Sequence, residues 1–113
     1  MKANWMFFRN SWTSCRKAQE FLDANNIQVD SRTDARKQKL NSTEVWERIK
    51  TAQSIHVAKG KKVDVFDPNA DSQDTILKAI MGRSGNLRAP TLQIGDRFFV
   101  GFNALLYDAI PTA

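Results

Sequence analysis

The sequence holds one cysteine and one histidine among 113 residues. A single cysteine excludes an intramolecular disulfide, so the fold must be held by its core. This usage fits a reducing compartment. One Cys with one His also cannot complete a Cys/His structural zinc site. No apolar run approaches the about 20 residues that a membrane-spanning helix needs. The first residues lead directly into a short apolar segment, without the long apolar stretch and small-residue cleavage site of a secretion signal. These absences lead to the expectation of one cytoplasmic domain over residues 1–113, with no membrane association. Apolar residues make up 42% of the chain, enough for a packed core, and charged residues 26%, which is ordinary for a soluble protein.

The charge is unevenly spread. Residues 1–63 carry 13 Lys/Arg against 6 Asp/Glu, while residues 64–113 carry 4 against 6. The first part is therefore +7 and the second −2, which together give the net +5. A basic half suits an anionic ligand, an acidic protein or nucleic acid, or is simply a solvated face. Nucleic acid is not expected as the partner. The chain lacks both a recognisable DNA-binding motif and the aromatic–arginine interleaving of a single-strand platform.

Along the chain, Asn4 to Phe8 reads as a short buried strand. Residues 10–14 read as a loop that caps a helix. Cys15, Ala18, Phe21 and Leu22 then fall on one helical face. The Asn25-Asn26 pair suits a left-handed helix end. A second strand begins at Ile27, and a strand–helix–strand unit this short predicts parallel strands. Residues 32–40 read as an exposed basic connection. Asn41 and Glu44 have the spacing of a capping box, followed by a stripe of Val45, Ile49 and Ala52. Lys59-Gly60-Lys61-Lys62 is a turn, and Val63 to Phe66 is an edge strand or an ordered loop. His56 is read as a surface or half-buried histidine. A further helix starts at Asp71 or Ser72, points Ile76, Leu77, Ile80 and Met81 inward, and ends with Gly82 as its terminating residue. Gly95-Asp96 joins two strands as a hairpin. Asn103 caps a final helix that closes before Pro111. The order β-α-β, a helical inserted segment at about 32–70, then α-β-β-α predicts an α/β fold of thioredoxin-like arrangement around a central mixed sheet.

The run Trp12-Thr13-Ser14-Cys15-Arg16-Lys17-Ala18 resembles the Cys-x-x-Cys-Arg-Lys-Ala motif of the ArsC/Spx family, the arsenate reductase-like members of the thioredoxin superfamily. A second likeness lies at Arg88-Ala89-Pro90-Thr91 and Val100-Gly101-Phe102-Asn103. The first cysteine of the family motif is replaced by Trp12, and Ala89 separates Arg88 from the proline. The resemblance implies a cis Pro90 beside the motif. It also implies Cys15, Arg16 and Arg88 as catalytic candidates, with Trp12, Thr13, Ser14, Lys17, Ala89 and Pro90 around the substrate or thiol. No bound cofactor or metal is implied; glutathione would serve as an external thiol.

Two functions stand side by side. One is a monothiol oxidoreductase of arsenate reductase or glutaredoxin type, in which a Cys15 thiolate attacks an oxidised substrate. Its small-molecule partners would be a thiol or an oxyanion. The other is a redox-inactive, Spx-like regulatory module that binds a protein. There Cys15 is a small buried hydrophobe and Trp12 an exposed anchor or a plug.

Overall fold

The computed structural model describes residues 2–111. Met1, Thr112 and Ala113, at the ends of the expected domain, lie outside the described residues. Strand β1 (Lys2–Phe8) leads through a turn into helix α1 (Thr13–Ala24), which returns to β2 (Gln28–Asp34). Helix α2 (Ser42–Ile49) precedes a hairpin of β3 (Ser54–Lys59) and β4 (Lys62–Phe66). Helix α3 (Gln73–Ile80), the hairpin of β5 (Thr91–Ile94) and β6 (Arg97–Val100), and helix α4 (Ala104–Asp108) complete the chain.

The strands form one mixed sheet in the order β2-β1-β5-β6-β3-β4. The β1/β2 pair is parallel, as the short βαβ unit predicts. β5 runs antiparallel to both β1 and β6, and β3 is parallel to β6. Helices cover both faces. Trp5, Phe7, Phe98 and Val100 share a buried cluster with Val45 and Ile49 of α2 and Ile76 and Ile80 of α3. Met6, Leu92 and Phe99 pack with Ala18 and Leu22 of α1 and Leu106 and Tyr107 of α4. Neighbouring Phe98 and Phe99 thus enter opposite layers, because successive strand side chains alternate faces.

Local signals explain most boundaries. Asn41 accepts from the Glu44 N–H at 2.9 Å, and the Glu44 carboxylate accepts from the Asn41 N–H at 3.2 Å, which completes the capping box. Asn26 ends the α1 connection with φ of 55°, a left-handed position that asparagine tolerates. Ser72 and Asn103 cap α3 and α4 with their side chains.

Four expectations need correction. The stretch 32–70 is not wholly helical: it holds one helix, and its second part is the β3–β4 hairpin that widens the sheet. Residues 32–34 belong to β2 rather than to a connection. Gly82 is not a left-handed helix terminator; Met81 ends α3 in an extended conformation and pairs with Leu87 in an isolated bridge. The polar residues 10–14 supply no side-chain cap to α1. Its N-cap position is Trp12, while Thr13 and Ser14 already lie within the helix. Among the described residues, no helix is long and apolar enough to cross a membrane.

Candidate functional site

The site is built where β1 stops and α1 begins. The Trp12 N–H donates to the Arg9 carbonyl at 3.1 Å, closing a tight turn over Asn10 and Ser11. Trp12 has extended backbone angles, and its carbonyl accepts the first helical bond, from the Arg16 N–H at 3.1 Å. The indole offers no oxygen to the free N–H groups of the first turn, and that turn contains no acidic residue. The N-terminus of α1 therefore keeps its partial positive charge open to the surroundings.

Cys15 lies three positions after Trp12, nearly one helical turn, yet the two side chains part. Trp12 is 43% exposed, whereas Cys15 is 5% exposed and joins the core cluster on the α2/α3 side of the sheet. The Arg9 N–H donates to Cys15 Sγ at 3.3 Å. Burial pushes the thiol above its ordinary range, and the Arg9 N–H opposes this without overcoming it. The thiol is therefore the favoured form near neutral pH, and a thiol is a poor nucleophile. The Arg9 guanidinium lies 5.1 Å from the centre of the Trp12 ring, within cation–π reach. Its Nε is buried and has no hydrogen-bond partner among the described residues.

Pro90 follows a cis peptide bond, as the family resemblance implies. The residue is buried, and its carbonyl accepts from the Gly101 N–H at 2.8 Å. On either side of Ala89 the backbone is engaged: the Arg88 N–H donates to Ile80, and the Arg88 carbonyl accepts from Thr91 Oγ1. Neither backbone polar group of Ala89 has a partner among the described residues.

Two separate clefts divide the sequence-derived candidates. Arg9, Trp12, Lys39, Arg83, Arg88 and Ala89 line a cleft of about 320 Å³. It gathers four cationic residues and no carboxylate. Cys15 and Arg16 instead line a smaller cleft of about 190 Å³ with Met6, Phe8 and Arg32. Thr13, Ser14 and Lys17 are exposed on the first turns of α1. The Arg88 guanidinium is tied down by two backbone carbonyls. Its Nη1 donates to the Ala79 carbonyl and its Nη2 to the Ala58 carbonyl, each at 3.1 Å. Cys15 and Arg88 thus share neither cleft, although the sequence places both in one motif set.

The cationic cleft also contains Lys39 and Arg83, which the family motif does not single out. Their signal was the basic connection after the second strand and the loop before the cis proline. Parallel β1 and β2 deliver their C-terminal ends to the same edge, where such loops gather. No sequence motif marks Tyr107 either. Its hydroxyl is buried without a partner among the described residues, and burial, with a smaller push from nearby Cys15, holds the phenol well above its usual range. Among the described residues, no group of three His, Cys, Asp or Glu side chains is arranged to hold a metal ion. No protein-family model and no curated protein matches the chain.

Proposed function

We propose that this chain is a thioredoxin-like domain of the ArsC/Spx type that works as a binding module. It takes an anionic protein segment into the cleft between Trp12 and Ala89. The observation that carries the reading is the divergence of the two motif side chains, with Trp12 at 43% exposure and Cys15 at 5%. An exposed tryptophan offers a large contact area at small entropic cost. Arg9, Lys39 and Arg83 supply positive potential with no carboxylate in the lining to neutralise it. The unpaired Ala89 backbone offers one donor and one acceptor to an extended chain.

The thioredoxin-like assignment is supported by the strand order β2-β1-β5-β6, the parallel crossover through α1, and the cis Pro90 at the head of β5. The added β3–β4 hairpin lies beyond β6, so it leaves that four-stranded order intact. A lone thiol fits a cytoplasmic setting.

A second reading rests on one specific observation: Cys15 reaches the wall of the small cleft beside Arg16 and Arg32. There it would act as a monothiol oxidoreductase, with glutathione as the external thiol.

The pH dependence of Cys15 alkylation in the native protein separates the two. The binding module is expected to label slowly, with a midpoint above the ordinary thiol value of about 8.5, and to label fast once unfolded. Fast native labelling with a midpoint well below about 8.5 would establish the oxidoreductase instead. Capture of a protein partner should survive Cys15→Ser and be lost in Trp12→Ala.

A further inference from the structure

A groove on the far side of Arg88 is used by neither reading. It runs between the β3–β4 hairpin and α3 and encloses about 440 Å³. That volume falls within the range of small-molecule sites. Val57, Phe66 and Ala79 form its apolar wall, and Lys59, Lys78 and Arg88 bring three positive charges to it.

The fold holds one of these charges in place. Arg88 is tied by two of its five N–H donors to carbonyls of two different elements, Ala79 of α3 and Ala58 of β3. Gly101 makes room for the head: a Cβ there would come within 2.7 Å of Arg88 Nη2. The guanidinium is half-buried, yet no carboxylate pairs with it among the described residues. Asp64 also lines the groove, but none of the three cations forms an ion pair with it among the described residues. A partly desolvated cation normally finds a counter-charge. Here the groove has an excess of two positive charges, and three donors of the fork have no partner among the described residues.

We propose that this groove binds a small organic monoanion, a carboxylate carried on an apolar body. The carboxylate would meet the Arg88 fork, with Lys78 and Lys59 at the rim, and the body would cover Val57, Phe66 and Ala79. Charge-assisted bonds to a guanidinium fix orientation, and the apolar wall contributes through burial.

The test uses phenylbutyrate and its neutral amide as probes, read by backbone amide chemical shifts of the full chain. For about a dozen heavy atoms, binding in the millimolar range is expected for the acid. The shifts should centre on Val57, Phe66 and Thr75, and the amide should bind about tenfold or more weakly. Lys78→Glu, on the exposed face of α3, should weaken the acid by a similar factor without disturbing the fold. Arg88→Met should abolish binding; because it also releases two backbone carbonyls, Lys78→Glu is the decisive variant. Equal affinity for acid and amide, indifference to Lys78→Glu, shifts centred on Trp12 and Lys39, or no shifts at all would each overturn the assignment.

Discussion

Among the described residues, three helices close their N-termini with a side chain, and one does not. Asn41, Ser72 and Asn103 each accept a hydrogen bond from an N–H of the first turn of α2, α3 and α4. Helix α1, the longest at 12 residues, begins at Trp12 with no side-chain cap. A missing cap costs about 1 kcal/mol. The three capped ends serve stability, because each side chain uses its polarity on its own backbone. The open end lies between the two clefts, beside an exposed indole and the Arg9 guanidinium. Its N–H groups and partial charge are left for something outside the chain. The contrast shows where local stability was given up, and it coincides with the candidate site.

The largest effect that would sharpen this contrast is expected at Asn103. Its Oδ1 accepts from the Leu106 N–H at 2.7 Å, while its Nδ2 donates to the carbonyls of Gly60 and Lys62. One amide thus caps α4 and ties the β3–β4 turn to it. Asn103→Ala should cost about 2 kcal/mol, as the sum of a cap and the net value of the turn bonds. Asn41→Ala, which removes a capping box alone, should cost about 1 kcal/mol. Urea melts of both variants check the ranking. Equal losses would mean that the tie to the hairpin contributes nothing.

The contrast breaks if Trp12 already serves α1 as well as a cap would. Trp12→Ser offers a hydroxyl to the open N–H groups, whereas Trp12→Ala does not. Both variants lose the stacking on Arg9, worth about 0.5–1 kcal/mol at an exposed site. The serine variant should therefore be more stable than the alanine variant by about 1 kcal/mol, with both losing partner binding. Equal melting temperatures would show that the α1 end is satisfied by other means.

The smallest effect concerns acid. His56 stacks on Phe99 with ring centres 4.9 Å apart, and its Nε2 lies 2.9 Å from Ser54 Oγ. Burial and then the charge of Arg97 lower its pKa. The unfolded chain therefore binds the proton more readily than the folded one. Stability should fall as pH drops below the unfolded histidine value of about 6.5, and the loss should level off below the folded value. His56→Gln should flatten this slope. An unchanged slope in the variant would assign the acid sensitivity to other groups.

How far the chain was readable follows the distance over which each choice is made. The Asn41–Glu44 box, the left-handed Asn26 and the Gly95-Asp96 turn are settled within a few residues, so their spacing sufficed. Strand β3 carries no such local signal. Ser54 to Lys59 mixes polar and apolar residues, and its parallel partner is Arg97 to Val100, some forty residues further on. Nothing local marks that pairing. Gly82 looked like a helix terminator, yet Met81 had already left the helix to meet Leu87. Residues 10–14 looked like a cap because they are small and polar; the register of α1 placed Trp12 at the capping position instead.

The sequence by itself determined the α/β alternation, the parallel first crossover, the capped helices and the inward face of Cys15, Ala18 and Leu22. These depend on side-chain periodicity and nearest-neighbour hydrogen bonds. Only the tertiary structure decided that Cys15 and Arg88 face different clefts, that Arg9 and Lys39 join Trp12, and that Arg88 spans α3 and β3. Those outcomes depend on which strand ends the sheet brings together, and on the depth to which burial carries each side chain. Neither is encoded within one turn of the residue concerned.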